Sequence, residues 1–216
     1  IETSFKNQII AQNKALKGRQ EKQAVTNAHY VHKRAITGPF QDSLEDISLG
    51  LGCFWGAEKK FLNQDGVYTT AVGYSGGYTQ NPTYDEVCSG LTGHSEVVKV
   101  IYNSKKITLK HLLSIFWESH DPTQGMRQGN DSGTQYRSAI YCYNKKQLND
   151  ALFSKNLYQE QLKTYGYGEI TTEVCVNKEF FYAEDYHQQY LAKNPNGYCG
   201  LGGTGIKYTH SLPNKI

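Results

Sequence analysis

No stretch of this 216-residue chain approaches the roughly 20 apolar residues that a membrane-spanning helix requires, so none is expected. Excess charge is scarce too. The chain has 23 Lys and Arg against 20 Asp and Glu, a net charge of +3, too small to single out nucleic acid as a partner. None of the five cysteines, at 53, 88, 142, 175 and 199, has CxxC spacing, and no His/Cys cluster resembles a zinc site. No metal is therefore expected. Five is odd, so not all can pair within the chain. A scattered odd set reads as thiols of an intracellular, cytoplasmic protein, some buried and one or two reactive. There is no internal repeat. The chain starts at Ile1 and not at methionine, as expected of a processed chain, and residues 1–40 hold no signal-like apolar segment.

What is present fits a globular protein: 38% hydrophobic and 20% charged residues, enough for one domain with a good-sized core. The 17 tyrosines and 8 phenylalanines stand out. Tyrosine joins an apolar ring to a polar tip and suits a half-wet site. Residues 1–44 are polar, basic and weakly periodic, and read as an N-terminal extension that wraps the domain or stays partly loose. The domain proper is expected over residues 45–216. Ile47, Leu49 and Leu51 alternate as a strand ended by Gly52. Residues 54–63 predict a helix, 67–74 a strand, 83–88 a short helix and 96–102 a strand apolar on both faces. Leu109, Leu112, Leu113, Phe116 and Trp117 repeat at helical spacing behind a Thr108 cap. Further on, strands are expected at 137–143 and 170–176, a long, mostly exposed helix at 145–165 and a short helix at 183–192. Some strand pairs leave no room for a crossover helix, so an α+β or mixed two-layer domain is expected.

Cys53 lies in Gly52-Cys53-Phe54-Trp55-Gly56, where a strand turns into a helix. Helix N-terminal amides favour an anion there and would stabilise a thiolate. Phe54 and Trp55 are bulky for a tight turn and could wall an apolar pocket beside the sulfur. Local features equally allow a small buried cysteine between core aromatics. Residues 120–137 form a long polar stretch punctuated by glycine, either a functional loop or an ordinary exposed one. Glu96, at the head of an apolar strand, is either solvated or desolvated; desolvation would keep it protonated as a proton donor. Cys199, in a glycine-rich tail, is either a free thiol or a mobile partner for disulfide exchange. Cys88, Cys142 and Cys175 read as packing residues and His94 as structural. A cysteine hydrolase would need a base among His94, His111, His120 and His187. Peroxide reduction by a thiol, or a module that binds a polar ligand through its tyrosines, are the other readings.

Six motifs in order carry a resemblance. They are Gly52-Cys53-Phe54-Trp55-Gly56, Gly73-Tyr74-Ser75-Gly76-Gly77, Asn81-Pro82-Thr83-Tyr84, Gly93-His94-Ser95-Glu96, the run from Gly129 to Arg137, and Gly197-Tyr198-Cys199-Gly200. From about Ile47 to Ile206 the chain resembles the peptide-methionine (S)-S-oxide reductases, the A-type methionine sulfoxide reductases. The resemblance implies a two-layer α/β sandwich with a mixed sheet on a ferredoxin-like core and a long coil C-terminal segment. It implies reduction of the S-epimer of methionine sulfoxide, in oxidised proteins or peptides and possibly free, by a monomer. Cys53 would attack the sulfoxide sulfur, with Phe54 and Trp55 holding the S-methyl group. Glu96 would supply a proton, Tyr84 and Tyr136 would bind the oxygen, and Asp131 would help order the site. A sulfenic acid on Cys53 would condense with Cys199, and thioredoxin would reduce the disulfide without a metal or organic cofactor. Some members carry a further cysteine beyond the first resolving one; residues 201–216 have none. A single resolving thiol is therefore expected, with a route through Cys88, Cys142 or Cys175 as the alternative.

Overall fold

The computed structural model describes residues 6–211; residues 1–5 of the extension and 212–216 of the tail lie outside the described residues. The first half follows the hydrophobic pattern closely. Strand β1 (Leu44–Gly50) leads into helix α1 (Phe54–Phe61), strand β2 (Val67–Ser75), short helix α2 (Tyr84–Cys88) and strand β3 (Ser95–Asn103). Helix α3 (Leu109–Ser119) is capped by the Thr108 side chain, which accepts from the His111 amide, as its sequence predicts. The loop after it carries a two-stranded ribbon, β4 (Arg127–Gln128) and β5 (Asp131–Ser132), and a 3-10 turn at Thr134–Tyr136. Strand β6 (Ala139–Cys142), helix α4 (Lys145–Lys163), strands β7 (Glu173–Val176) and β8 (Phe180–Tyr182), and helix α5 (Tyr190–Lys193) complete the chain.

The main sheet has the order β7-β6-β1-β3-β2-β8. All neighbours are antiparallel except β6 and β7, which are parallel and joined by α4. The central run β6-β1-β3-β2, with α1 and α3 as its crossovers, is the ferredoxin-like βαββαβ arrangement that the motifs imply. Residues alternate between two faces. Ile47, Leu49, Val98, Val100 and Ile140 pack with Phe61, Phe116, Trp117 and Tyr158 of the helices. Val97, Ala139 and Tyr141 form a smaller cluster with Cys175 and Phe180 on the far face. Helix α4 is not simply an exposed helix, because Ala151, Leu157, Tyr158 and Leu162 bury one stripe of it.

Two departures from the sequence reading share a cause. Residues 180–182 pair with β2 as an extra edge strand, and 183–192 do not form one helix. Gln189 has a φ of 50°, in the left-handed region. Its amide donates to Glu58 Oε1 at 2.7 Å, while the Gln188 side chain pairs with both the amide and the carbonyl of Val72. These long-range bonds replace the helical ones.

Glu58, fully buried on α1, accepts from the Gln189 amide, Gln189 Nε2 at 3.0 Å and Thr70 Oγ1 at 2.7 Å. Thr70 in turn receives the His29 ring at 2.9 Å. His29 Nδ1 accepts the amides of Val31 and His32, which leaves the proton on Nε2. The arm is stitched to the domain in several places: Leu16 to Leu91, Arg19 to Gln80, Thr26 to Asp185 and Arg34 to Tyr68. Leaving a buried donor without its acceptor costs about 1–3 kcal/mol. Glu58→Leu strands three donors and is expected to lower stability by about 3 kcal/mol or more in urea unfolding. A loss well below that would mean the donors find other acceptors.

Candidate active site

The site forms where the end of β1 and the start of β3 meet. Gly52 makes the turn from β1 into α1 with a φ of 102°. A side chain there would be strained, and its Cβ would stand 2.8 Å from Gln128 Cγ. The long loop thus packs directly on the turn that presents Cys53. Gln128 is itself held at both ends of its amide by the backbone of Asp121.

Cys53 is the residue before the first turn of α1 and is half-buried. Its amide neighbourhood, Trp55 N–H included, favours the thiolate, as the sequence suggests. Burial outweighs this and pushes the thiol well above its ordinary range, and Glu96 adds to the rise wherever it is ionised. The balance favours the thiol at rest, with the helix amides still acting in the direction that the sequence suggests. Glu96 is 2% exposed, not a solvated strand end. Burial raises its carboxyl to about 8, a nearby Asp131 adds to the rise, and a long bond of 3.5 Å from the Phe54 amide opposes it. Near neutral pH Glu96 thus holds a proton. Asp131 is also raised by burial, while Tyr198 donates to its Oδ2 at 3.3 Å.

The other candidates gather around this pair. Tyr136 and Tyr84 feel the charge of Glu96 and are raised chiefly by burial, so both remain phenols able to donate. Tyr84 is fixed through its amide, which donates to Glu184 Oε2 at 2.9 Å, while Tyr74 donates to Oε1 of the same carboxylate at 3.0 Å. Phe54 is buried against Tyr74. Trp55 stacks on Tyr190 with centroids 3.8 Å apart and donates its indole N–H to His187 Nδ1 at 2.9 Å. The His187 ring lies 4.5 Å from Tyr84 and 5.1 Å from Phe54, and burial lowers it to about 4, so it stays neutral.

Sequence reasoning missed Glu184, weighed His187 only as a base, and quoted Arg137 within a motif without giving it a role in this scaffold. Arg137 is buried and donates to the carbonyls of Thr134 and Gly93 at 2.9 and 2.8 Å. It ties the Tyr136 turn to the approach to Glu96. No motif marks Glu184 or His187; the available signal is their place in an aromatic run, Phe180 to Tyr190.

Cys199 is exposed, with its sulfur close to the first turn of α1. Its tail is coil, as expected, but it is clamped and does not simply trail. Leu201 and Ile206 pack on the core, Tyr158 donates to the Ile206 carbonyl at 2.8 Å, and the Tyr208 amide donates to Glu118 Oε1 at 2.9 Å. Cys142 faces the helices and Cys175 the far side of the sheet, so the sheet separates them. Cys88 is half-buried beside the Tyr84 hydroxyl.

Each of three histidines has its one acceptor nitrogen already taken. His94 Nδ1 accepts the Gly77 amide and Nε2 bonds the Thr79 carbonyl. His120 bonds the Phe116 carbonyl and Ser138, and His187 takes the Trp55 indole. A hydrolase thus lacks a base at Cys53 among these three. Among the described residues, no group of three His, Cys, Asp or Glu is arranged to hold a metal, and no helix is long and apolar enough to cross a membrane.

A family model described as peptide methionine sulfoxide reductase matches residues 45–209. Peptide methionine sulfoxide reductase MsrA 1 of Synechocystis sp. is 58% identical over 201 residues, 93% of this chain and 90% of that one. The MsrA of Pseudomonas aeruginosa (strain LESB58) is 57% identical over 93% of this chain and 94% of its own. Among solved structures, methionine sulfoxide reductase A of Corynebacterium diphtheriae superposes with a TM-score of 0.84 at 43% identity, covering 89% of this chain and 93% of that one. With the family model spanning the whole site, and relatives this similar over nearly their full length, the chain belongs to the peptide methionine sulfoxide reductase family.

Proposed function

We propose that this chain reduces the S-epimer of methionine sulfoxide, in proteins and peptides and as the free amino acid, by direct attack of Cys53 on the sulfoxide sulfur. The observation that carries the reading is the buried Glu96 beside a cysteine at a helix start, with burial raising its carboxyl. Attack at sulfur needs a proton on the departing oxygen, and Glu96 is a carboxyl still able to give one at neutral pH. Having given it, Glu96 is a carboxylate able to take the proton of the Cys53 thiol, so the resting thiol is activated only when substrate has accepted a proton. The net step converts sulfoxide and thiol into methionine and a Cys53 sulfenic acid; the sulfoxide sulfur gains two electrons and Cys53 loses two. Tyr84 and Tyr136 donate to the oxygen, Phe54 and Trp55 wall the methyl group, and Asp131 orders the polar side.

Cys199 then forms a disulfide with Cys53, which a dithiol donor must reduce. Thioredoxin is that donor, attacking the Cys53–Cys199 bond directly, with no metal or organic cofactor. Cys142, fully buried in the core, and Cys175, on the far face of the sheet, are poorly placed for this relay. Residues 45–216 form the catalytic domain, 1–44 its extension, and the protein works as a monomer in the reducing cytoplasm.

A thioredoxin-coupled assay on the two separated epimers tests the reading. The S-epimer puts methyl against indole and oxygen against Glu96. The R-epimer reverses them and leaves buried donors unpaired, a mismatch worth on the order of 10⁴ in kcat/KM. Comparable rates on both epimers, or none on either, would sink the proposal.

A further inference from the structure

Gly56 sits in the first turn of α1, three residues after Cys53, and is buried. Its helical backbone suits any residue, and glycine there costs roughly 1 kcal/mol relative to alanine. Space supplies the reason for it. A methyl group at position 56 would stand 3.0 Å from Cys199 Sγ, 3.3 Å from Leu201 Cβ and 3.8 Å from Leu201 Cδ2. These three nearest atoms all belong to the tail segment around Cys199. Leu201 Cδ1 would also lie 4.0 Å from a methyl group on Gly52. The tail therefore rests in a notch floored by two glycines of the turn that carries Cys53.

We infer that Gly56 is a positioning residue for the resolving step: its missing side chain lets the Cys199 sulfur ride over the helix that presents Cys53. This rests on the reading of Cys199 as the resolving thiol. In that step Cys199 attacks the sulfenic sulfur of Cys53. An S–S bond forms and the S–O bond breaks. The hydroxyl leaves as water with the Cys199 proton, Cys199 is oxidised and Cys53 is reduced. A side chain at position 56 forces the tail outward by some tenths of an ångström. Misplacement of a reacting group by about 1 Å costs on the order of 10²-fold in rate.

The test follows one turnover on methionine-S-sulfoxide without reductant, trapping sulfenic acid with dimedone and mapping disulfides by mass spectrometry. Wild-type protein is expected to pass to a Cys53–Cys199 disulfide. Gly56→Ala is expected still to release one methionine per chain, with a sulfenic acid that lives about tenfold longer or more. In a Cys199→Ser background the same substitution is expected to leave that lifetime unchanged. Disulfide formation at the wild-type rate in Gly56→Ala overturns the role of Gly56 alone. An equal slowing of methionine release in both backgrounds also overturns it, because the glycine then serves the helix. A wild-type disulfide that omits Cys199 overturns the reading beneath it. Should Gly56→Ala not fold, Leu201→Ala, which loosens the same seat without crowding it, carries the same expectation of slower disulfide formation.

Discussion

Cys53→Ser is expected to lose methionine sulfoxide reduction by about 10⁴-fold or more, with binding of the substrate retained. A hydroxyl in the same place cannot accept the oxygen lost by the sulfoxide, because no oxygen counterpart of the sulfenic acid is accessible. Cys199→Ser separates the two halves of the cycle. It keeps the nucleophile, so it is expected to release one methionine per chain and then stall with thioredoxin as the reductant. Rapid-quench counting of methionine, with and without thioredoxin, distinguishes these outcomes. Turnover in Cys53→Ser would place the chemistry elsewhere, and normal recycling in Cys199→Ser would point to another thiol.

Glu96→Gln has the second large expected effect. Glutamine keeps the shape and a hydrogen bond but has no acidic proton, so the chemical step should slow by roughly 10²–10⁴ while binding changes little. The wild-type rate should fall as pH rises through about 8, where the acid form is lost, and Glu96→Gln should be flat there. Stability carries the same signature. The unfolded carboxyl titrates near 4.5 and the folded one near 8, so the folded state keeps a proton that the unfolded chain releases between them. Stability contributed by the neutral form is full below 4.5, declines as pH rises and is gone above about 8. The accumulated loss, on the order of 5 kcal/mol, is absent from Glu96→Gln, which should resist urea better than wild type at pH 9. Parallel pH profiles for the two proteins would remove Glu96 as the titrating acid.

Sequence patterns reached furthest where structure is local. Helix α3 follows from its apolar spacing and Thr108, because each depends on neighbours within four residues. The edge strand at Phe180–Tyr182 and the broken segment after it do not, because Gln188 and Gln189 answer to Val72 and Glu58, more than 100 positions away in the chain. The site divides in the same way. Cys53, Phe54 and Trp55 stand out as a motif, but their local setting alone suggested a stabilised thiolate. The opposing burial comes from elements that meet only in three dimensions. Glu96 could not be told from a solvated strand end until β3 lay beneath the turn from β1. Glu184 and His187 carry no signal of their own, since what they do is hold Tyr84 and Trp55 in place.

The clamped tail has a thermodynamic side. Tyr158 and Glu118 hold residues 206 and 208, and thereby restrict where Cys199 can wander. If Cys199 resolves Cys53 as proposed, a restraint that holds the two sulfurs near each other raises the effective concentration of one thiol at the other, and that quantity sets how oxidising their disulfide is. A stiffer tail would lower the reduction potential and leave the bond harder for thioredoxin to open; a slack one would raise it and make the bond slow to close. On that proposal, hydrogen bonds far from either sulfur, from Tyr158 within α4 and to Glu118 at the end of α3, would tune the redox couple.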